Sequence, residues 1–221
     1  PLNTTLNIPA LNLYPTFGDL DGDGHKDLIV GDADGKLHLF KNDGNGNFLT
    51  PIPNYSNIDI GYFAHPQLID VNRDGLIDLI IGEQDGTINY FPNSGSNTVA
   101  VFDTAINNFG GVDVDTAYIS TGYSTPKLID SNGVYKLFVG SYTGYIYEYT
   151  NIDNNLTGQF TQVSHTTSNI WDGGRSAFTF ADITNDNQLD MIVGNISGGL
   201  AYFSSDTSII NKTDNIKTEN E

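Results

Sequence analysis

Three short stretches of the chain carry acidic side chains at alternate positions around a turn. They span residues 19–27, 70–78 and 182–190, and the first has four aspartates within nine residues. Carboxylates this close repel one another, and a hard cation that takes several oxygen ligands relieves the repulsion. The spacing therefore predicts calcium sites. Magnesium is disfavoured because it prefers fewer and better ordered protein ligands.

Each stretch offers side-chain oxygens at its first, third, fifth and ninth positions and a backbone carbonyl at the seventh. Glycine at the sixth position, Gly24 or Gly75, permits the sharp turn, whereas the last stretch has Asn187 there. We predict two full calcium sites and a third, weaker one. The predicted ligands are Asp19, Asp21, Asp23, His25 (carbonyl) and Asp27; Asp70, Asn72, Asp74, Leu76 (carbonyl) and Asp78; and Asp182, Thr184, Asp186, Gln188 (carbonyl) and Asp190.

Two other interpretations of these stretches compete with a calcium site. An EF-hand requires a glutamate at the twelfth position, where this chain has Val30, Ile81 and Val193, and it requires flanking helices. Aspartate, asparagine and glycine are also common in ordinary loops. Three recurrences at ligand spacing favour metal over that simpler explanation.

The acidic stretches belong to a longer unit that occurs four times, at intervals of roughly 50–60 residues. The third unit keeps only Asp130 and Asn132 of the acidic loop, so we predict no metal there. Each unit reads as strands: an apolar run enters the loop, a second run leaves it, and a tight glycine turn follows. The tight turns are predicted at Asp34-Gly35, Asp85-Gly86, Thr143-Gly144 and Ser197-Gly198.

Repeated small sheets bury both faces by packing around an axis, which predicts an all-β fold, a β-propeller of four blades. A linear solenoid is the alternative, although its repeats are typically shorter. Residues 1–207 form the predicted propeller, with units at about 10–57, 58–116, 117–169 and 170–207, and residues 208–221 form a polar tail. A strand at residues 4–11 is expected to complete the last blade. The four units form either a small closed ring or a fragment of a larger propeller, such as a seven-bladed one.

The repeated unit resembles the FG-GAP/VCBS-type repeat of integrin α-subunit-like propellers and of many bacterial secreted proteins. The resemblance rests on the proline, the acidic loop, the run Asp27-Leu-Ile-Val-Gly31 and the following Asp34-Gly35, and on their counterparts in the second unit. It implies calcium-loaded blades, with each cation held between the first two strands of a blade. It also implies a secreted, bacterial protein that is extracellular or lies at the cell surface.

Composition narrows the possible partners. The 221 residues contain 27 acidic and 9 basic side chains, for a formal net charge of −18. That charge argues against nucleic acid and anionic membranes as partners. The absence of cysteine excludes disulfides and thiolate metal sites. No apolar stretch approaches the roughly 20 residues that span a bilayer.

No catalytic constellation is evident, because the histidines have no obvious partners and metal better explains the acidic clusters. We therefore expect a non-enzymatic, calcium-stabilised binding or scaffold module for adhesion, carbohydrate or protein partners. A propeller-type polysaccharide lyase or hydrolase, or an accessory domain of one, is the alternative. The loops that enter each unit supply the candidate ligand-binding residues, although packing between blades would also explain their aromatic side chains. These candidates are Tyr62, His65, Tyr123, Tyr142, Trp171 and Arg175.

Overall fold

A computed structural model of the chain describes residues 8, 10–115, 121–164, 170, 171 and 173–204. Over these residues it contains thirteen strands in four antiparallel sheets and two short 3₁₀ turns, at Tyr55–Asn57 and Phe109–Gly111. The predicted all-β class and the four-blade arrangement are confirmed. The strand predicted at residues 4–11 lies mostly outside the described residues, and the tail at 208–221 lies wholly outside them.

Each sheet forms within one predicted repeat, and we number the blades in chain order. Blades one, two and four have three strands, and blade three has four. The strands are β1 (Tyr14–Gly18), β2 (Asp27–Gly31) and β3 (Leu37–Phe40); β4 (His65–Ile69), β5 (Asp78–Gly82) and β6 (Ile88–Phe91); β7 (Thr125–Ser131), β8 (Val134–Gly140), β9 (Ile146–Thr150) and β10 (Thr161–Ser164); and β11 (Ala177–Ala181), β12 (Asp190–Gly194) and β13 (Leu200–Phe203).

The continuous apolar run in each second strand is explained by packing on both faces of the blade. In β5, Leu79 and Ile81 join the core between blades one and two, whereas Ile80 joins the core between blades two and three. Successive side chains of a strand point to opposite faces, so an inner blade needs apolar residues at every position. Every residue of β2 and β5 is buried accordingly.

The first strands of the four blades lie next to one another in order and line the centre of the fold. Side chains link them across the blade boundaries. The Leu68 amide donates to Thr16 Oγ1 over 3.2 Å, and the Gln67 side chain makes two hydrogen bonds with the backbone of Leu128. Polar side chains of the inner strands therefore satisfy backbone groups that an isolated sheet edge would leave unpaired.

The tight turns after the second strands form where they were predicted. Gly35, Gly86, Gly144 and Gly198 all have positive φ, between 74° and 98°, a conformation that glycine adopts without steric cost. No helix among the described residues is long and apolar enough to cross a membrane.

Candidate functional site

The first acidic loop brings three carboxylates together. Ligand oxygens of Asp19, Asp21 and Asp23 lie within 4.8 Å of one another. The amides of Gly22 and Gly24 donate to the two oxygens of Asp19, at 2.7 and 3.0 Å, and hold that carboxylate in place. The Asp21 Oδ1 atom is buried and has no hydrogen-bond partner. A buried acceptor without a donor, beside two more carboxylates, fits a calcium ion.

The second and fourth loops share this backbone geometry. In loop two the amides of Asp74 and Gly75 donate to Asp70, and in loop four the amides of Asp186 and Asn187 donate to Asp182. Asn187 has a φ of 66°, so asparagine preserves the left-handed turn that glycine makes elsewhere. Among the residues that the structure describes, three acidic ligands converge within 4.8 Å only in loop one.

The ninth-position aspartates have a structural role that the sequence analysis missed. Asp78 is fully buried, and its Oδ2 accepts hydrogen bonds from the Val71 amide at 2.9 Å and the Tyr90 hydroxyl at 3.0 Å. Its Oδ1 accepts from the Asn93 amide at 2.7 Å. Asp27 and Asp190 bond the backbone of their own loops in the same way. These carboxylates fasten the loop to the outer strands, whether or not they also ligate a metal. Burial raises the pKa of Asp27 and Asp78 above the ordinary aspartate value.

The third unit has a tight hairpin where the others have an acidic loop, with Asn132 and Gly133 both at positive φ. Arg73, from loop two, donates to Asp130 at 2.8 Å and to Asp153 at 2.9 Å. An arginine side chain thus supplies positive charge beside the remaining carboxylate of this repeat. This contact, which joins blades two and three, could not be read from the repeat pattern.

A second group of residues lies where the chain enters each blade, just before the first strand. This is the end of the first strands opposite to the acidic loops. The residue two positions before each inner strand is in the left-handed conformation, with φ between 48° and 59°; these residues are Asn12, Phe63, Tyr123 and Arg175. Positive φ is uncommon outside glycine and costs of order 1–3 kcal/mol per residue. Strain repeated at equivalent positions of four blades marks this end of the axis as a candidate functional site.

Three of these residues come from different blades and meet at the axis. The Arg175 guanidinium lies 4.2 Å from the centre of the Tyr123 ring and 6.0 Å from that of Phe63. Tyr142, two residues after the end of β8, extends the group: its ring centre is 5.7 Å from that of Tyr123 and 5.5 Å from the guanidinium. We call Phe63, Tyr123, Tyr142 and Arg175 the axial cluster.

Beside the axial cluster lies a buried layer formed by two other rings. Tyr14 and His65 pack with ring centres 3.7 Å apart. His65 is 8% exposed, and its Nδ1 has no hydrogen-bond partner. Burial lowers the pKa of the imidazole to about 3, so the ring is neutral at physiological pH. Lys127, at the third position of β7, is partly buried, and desolvation lowers the pKa of its amine.

The structure separates the six candidate ligand-binding residues into two groups. Tyr123, Tyr142 and Arg175 meet in the axial cluster, and His65 lies near them. Tyr62 and Trp171 are exposed, and the Trp171 ring nitrogen donates to the Thr143 carbonyl. The sequence analysis missed Phe63, Tyr14 and Lys127. The equivalence of residues 12, 63, 123 and 175 in the repeat alignment was a signal that could have identified Phe63.

A groove of about 620 Å³ opens between the chain that leaves blade one and the outer part of blade two. Its lining includes four acidic residues, Asp59, Glu83, Asp85 and Asp103. Burial raises the pKa of Glu83, and the nearby Asp85 raises it further, while hydrogen bonds from Asn89 and Thr87 act in the opposite direction. The Glu83 amide donates to Ser124 Oγ, and the Ser124 amide donates to the Glu83 carbonyl. Ser124 follows Tyr123 in the chain, so a residue that lines the groove is bonded to the neighbour of an axial-cluster residue.

Residues 19–81 match the family model of the FG-GAP-like repeat. No curated protein matches the chain. Among solved structures, the chain is similar to a GH62 hydrolase in complex with xylotriose, with a TM-score of 0.55 and 14% identity over 88% of this chain. It is also similar to the catalytic domain of the GH62 α-L-arabinofuranosidase of Coprinopsis cinerea, with a TM-score of 0.50 and 14% identity over 90% of this chain. The chain spans 65% and 70% of the lengths of those two proteins.

These comparisons correct the expected function. The prediction of a non-enzymatic binding or scaffold module is wrong, because both similar structures are glycoside hydrolases and favour the hydrolase alternative. The error arose because the sequence analysis assigned the dense acidic clusters to metal and did not consider the scattered acidic residues that line the groove. The resemblance to the repeat family is confirmed: residues 19–81 are FG-GAP-like repeat sequence, and the chain has a propeller-type fold.

Proposed function

We propose that this chain is a propeller-type glycoside hydrolase domain that binds a polysaccharide at the axial cluster. The observation that carries the proposal is the meeting of Phe63, Tyr123 and Arg175, from three blades, at strained backbone positions. Aromatic rings stack on the apolar faces of sugars, while a guanidinium donates hydrogen bonds to hydroxyl or carboxylate oxygens. The fold shared with a xylotriose-bound hydrolase supports a xylan-like polysaccharide as substrate.

Glycoside hydrolysis requires one carboxyl group that holds a proton and a second that stays ionised. We assign the first role to Glu83, since burial and the neighbouring Asp85 both raise its pKa. Asp85, exposed in the same groove, is assigned the second role. The hydrogen bonds from Thr87 and Asn89 both reach Glu83 Oε1 and fix the carboxyl in the groove.

The test is release of reducing ends from xylan and arabinoxylan. The wild type should cleave at least one of them, and Glu83→Gln should lower the rate by roughly a hundredfold or more, the usual contribution of a general acid. Asp103→Asn is the matched control, because Asp103 lines the same groove but is exposed. Absence of cleavage by the wild type would refute the hydrolase, and full activity of Glu83→Gln would refute the assignment of the acid.

We also propose that loops one and two bind Ca²⁺ and that loop four binds it more weakly. The unpaired Asp21 Oδ1 supports the site in loop one, and the shared backbone geometry supports the other two. All fifteen ligands given above belong to this proposal. Binding to the folded state alone adds about 2.7 kcal/mol per site at a hundredfold excess over Kd. Calcium-binding modules with open loops and millimolar affinity are typical of extracellular proteins. We therefore propose that this protein is extracellular.

A further inference from the structure

Two basic side chains near the propeller axis have no acidic partner among the described residues. Arg175 and Lys127 form no ion pair there, although the chain has three acidic residues for every basic one. Three other basic residues are neutralised locally: Lys41 pairs with Asp21, Arg73 with Asp130 and Asp153, and Lys136 with Glu148. Lys26 and Lys36, like Arg175 and Lys127, form no ion pair among the described residues. Arg175 and Lys127 differ from them in lying near the axis, where they place positive charge in a chain of net charge −18.

Two polar nitrogens at this spot have no hydrogen-bond partner. Arg175 Nε is buried without a hydrogen-bond partner, and so is Nδ1 of His65, a residue only 8% exposed. Buried polar groups are nearly always paired, so two unpaired nitrogens at one end of the axis indicate a missing partner. Lys127 lies on β7, four residues after Tyr123, and His65 begins β4, two residues after Phe63. The Arg175 guanidinium lies 4.2 Å from the centre of the Tyr123 ring and 6.0 Å from that of Phe63.

Arg175 lies over an aromatic ring. Its guanidinium carbon is 4.2 Å from the centre of the Tyr123 ring, within the range of a cation–π contact. The N–H donors lie in the plane of the guanidinium, where their fork matches the two oxygens of a carboxylate. A neutral sugar needs hydrogen bonds but offers no charge to balance Arg175 and Lys127.

We infer that the axial cluster recognises the carboxylate of a uronosyl residue in an acidic polysaccharide, with Arg175 as the charge partner and Tyr123 and Tyr142 as stacking surfaces. The inference rests on the proposed function and specifies its substrate as uronate-bearing. Neutral His65 supplies a hydrogen-bonding nitrogen, and Lys127 adds charge from the adjoining strand. A bound carboxylate would accept a hydrogen bond from Arg175 Nε, a donor that has no partner in the structure.

The test compares two probes by isothermal titration calorimetry: xylotriose and a xylotriose that carries one glucuronosyl branch. At low salt the wild type should bind the branched acid roughly tenfold to a hundredfold more tightly, the range expected for a charge-assisted pair. Arg175→Gln should lose this preference but retain the weaker binding of xylotriose. Lys36→Gln, which removes the same charge outside the axial cluster, should keep the preference.

Equal wild-type affinity for the two probes would overturn the inference, and so would a preference that survives in Arg175→Gln. If that variant does not fold, the affinities of the wild type for the two probes still test the inference. Its preference must weaken as salt rises, and a preference insensitive to salt would contradict charge recognition. Failure of the proposed function is a separate result. In that case the wild type cleaves neither xylan nor arabinoxylan, whichever probe it binds.

Discussion

Replacing Gly82 with alanine should destabilise the fold although the backbone conformation at this strand residue suits any amino acid. A Cβ atom at Gly82 would lie 2.2 Å from the Ser124 carbonyl oxygen and 2.6 Å from Cδ of Pro126. Ordinary contacts begin near 3.4 Å, so the next blade must move by about 1 Å. Gly31 and Gly140 meet the following blade in the same way. The glycine that ends the second strand of blades one, two and three thus sets the distance to the following blade.

Overpacking of this kind costs about 1–3 kcal/mol, and we expect the upper end because the obstacles are backbone and a proline ring. For a chain of this length, that loss corresponds to a fall of roughly 6–12 °C in Tm. Ser124 follows Tyr123 of the axial cluster, and the amides of both donate to the carbonyls of residues 83 and 84, directly after β5. Gly82→Ala should therefore also weaken oligosaccharide binding.

The matched control is Gly194→Ala, at the equivalent position of blade four. There the nearest atoms to an added Cβ are 3.5 and 3.9 Å away, which is ordinary contact. We expect the free energy of unfolding of this variant to differ from that of the wild type by at most about 0.5 kcal/mol. The added methyl group fits, and alanine lowers the entropy of the unfolded chain, which offsets small losses in the folded state. Urea unfolding measures both variants. Equal unfolding free energies for Gly82→Ala and the wild type would contradict the predicted clash.

Three further predictions concern the loops and the buried histidine. Asp78→Asn should lose about 2–4 kcal/mol in urea unfolding even with EDTA present, because an NH₂ group replaces one of the two oxygens and leaves either the Asn93 amide, or the Val71 amide and the Tyr90 hydroxyl, facing another donor; an effect confined to calcium-loaded protein would contradict this. Asp21→Asn removes the ion pair with Lys41 and should therefore lower stability in EDTA by at most about 1 kcal/mol. It should also reduce the rise in Tm on adding calcium, and an undiminished rise would count against the loop-one site. His65 has a pKa of about 3 when folded against 6.5 when free, so only the unfolded state takes up a proton as the pH falls below about 6.5. Stability should then drop by about 1.4 kcal/mol per pH unit down to about pH 4. His65→Gln should remove that part of the pH dependence in urea titrations, and an unchanged slope would refute it.

Local chemistry was predictable wherever a residue acts through its own loop or strand. Gly86 and Gly144 adopt the positive φ that their turns require, and Asn187 preserves the turn where glycine is absent. The buried middle strands followed from runs such as residues 79–81, since both faces of a blade are covered. These features depend on nearest neighbours in the chain, which the sequence specifies directly.

The axial cluster was only partly predictable. Tyr123, Tyr142 and Arg175 were candidates, but so were Tyr62 and Trp171, which the fold leaves exposed. A loop sequence does not indicate which of two adjacent aromatic residues turns toward the axis. That choice depends on the left-handed backbone at one residue of each loop, and interactions with the adjoining blade hold it there.

The sequence by itself determined that this chain repeats, that its repeats are strands, and that three of them carry acidic loops. Those properties are periodic, and each depends on a few adjacent residues. Only the tertiary structure decided where distant charges meet. It buried Asp78 as a clamp, paired Arg73 with Asp130, and placed Arg175 over Tyr123 with no ion pair among the residues that the structure describes. Residues that meet between blades are roughly 50–60 positions apart along the chain. Only the packing of one blade on the next determines which of them come together.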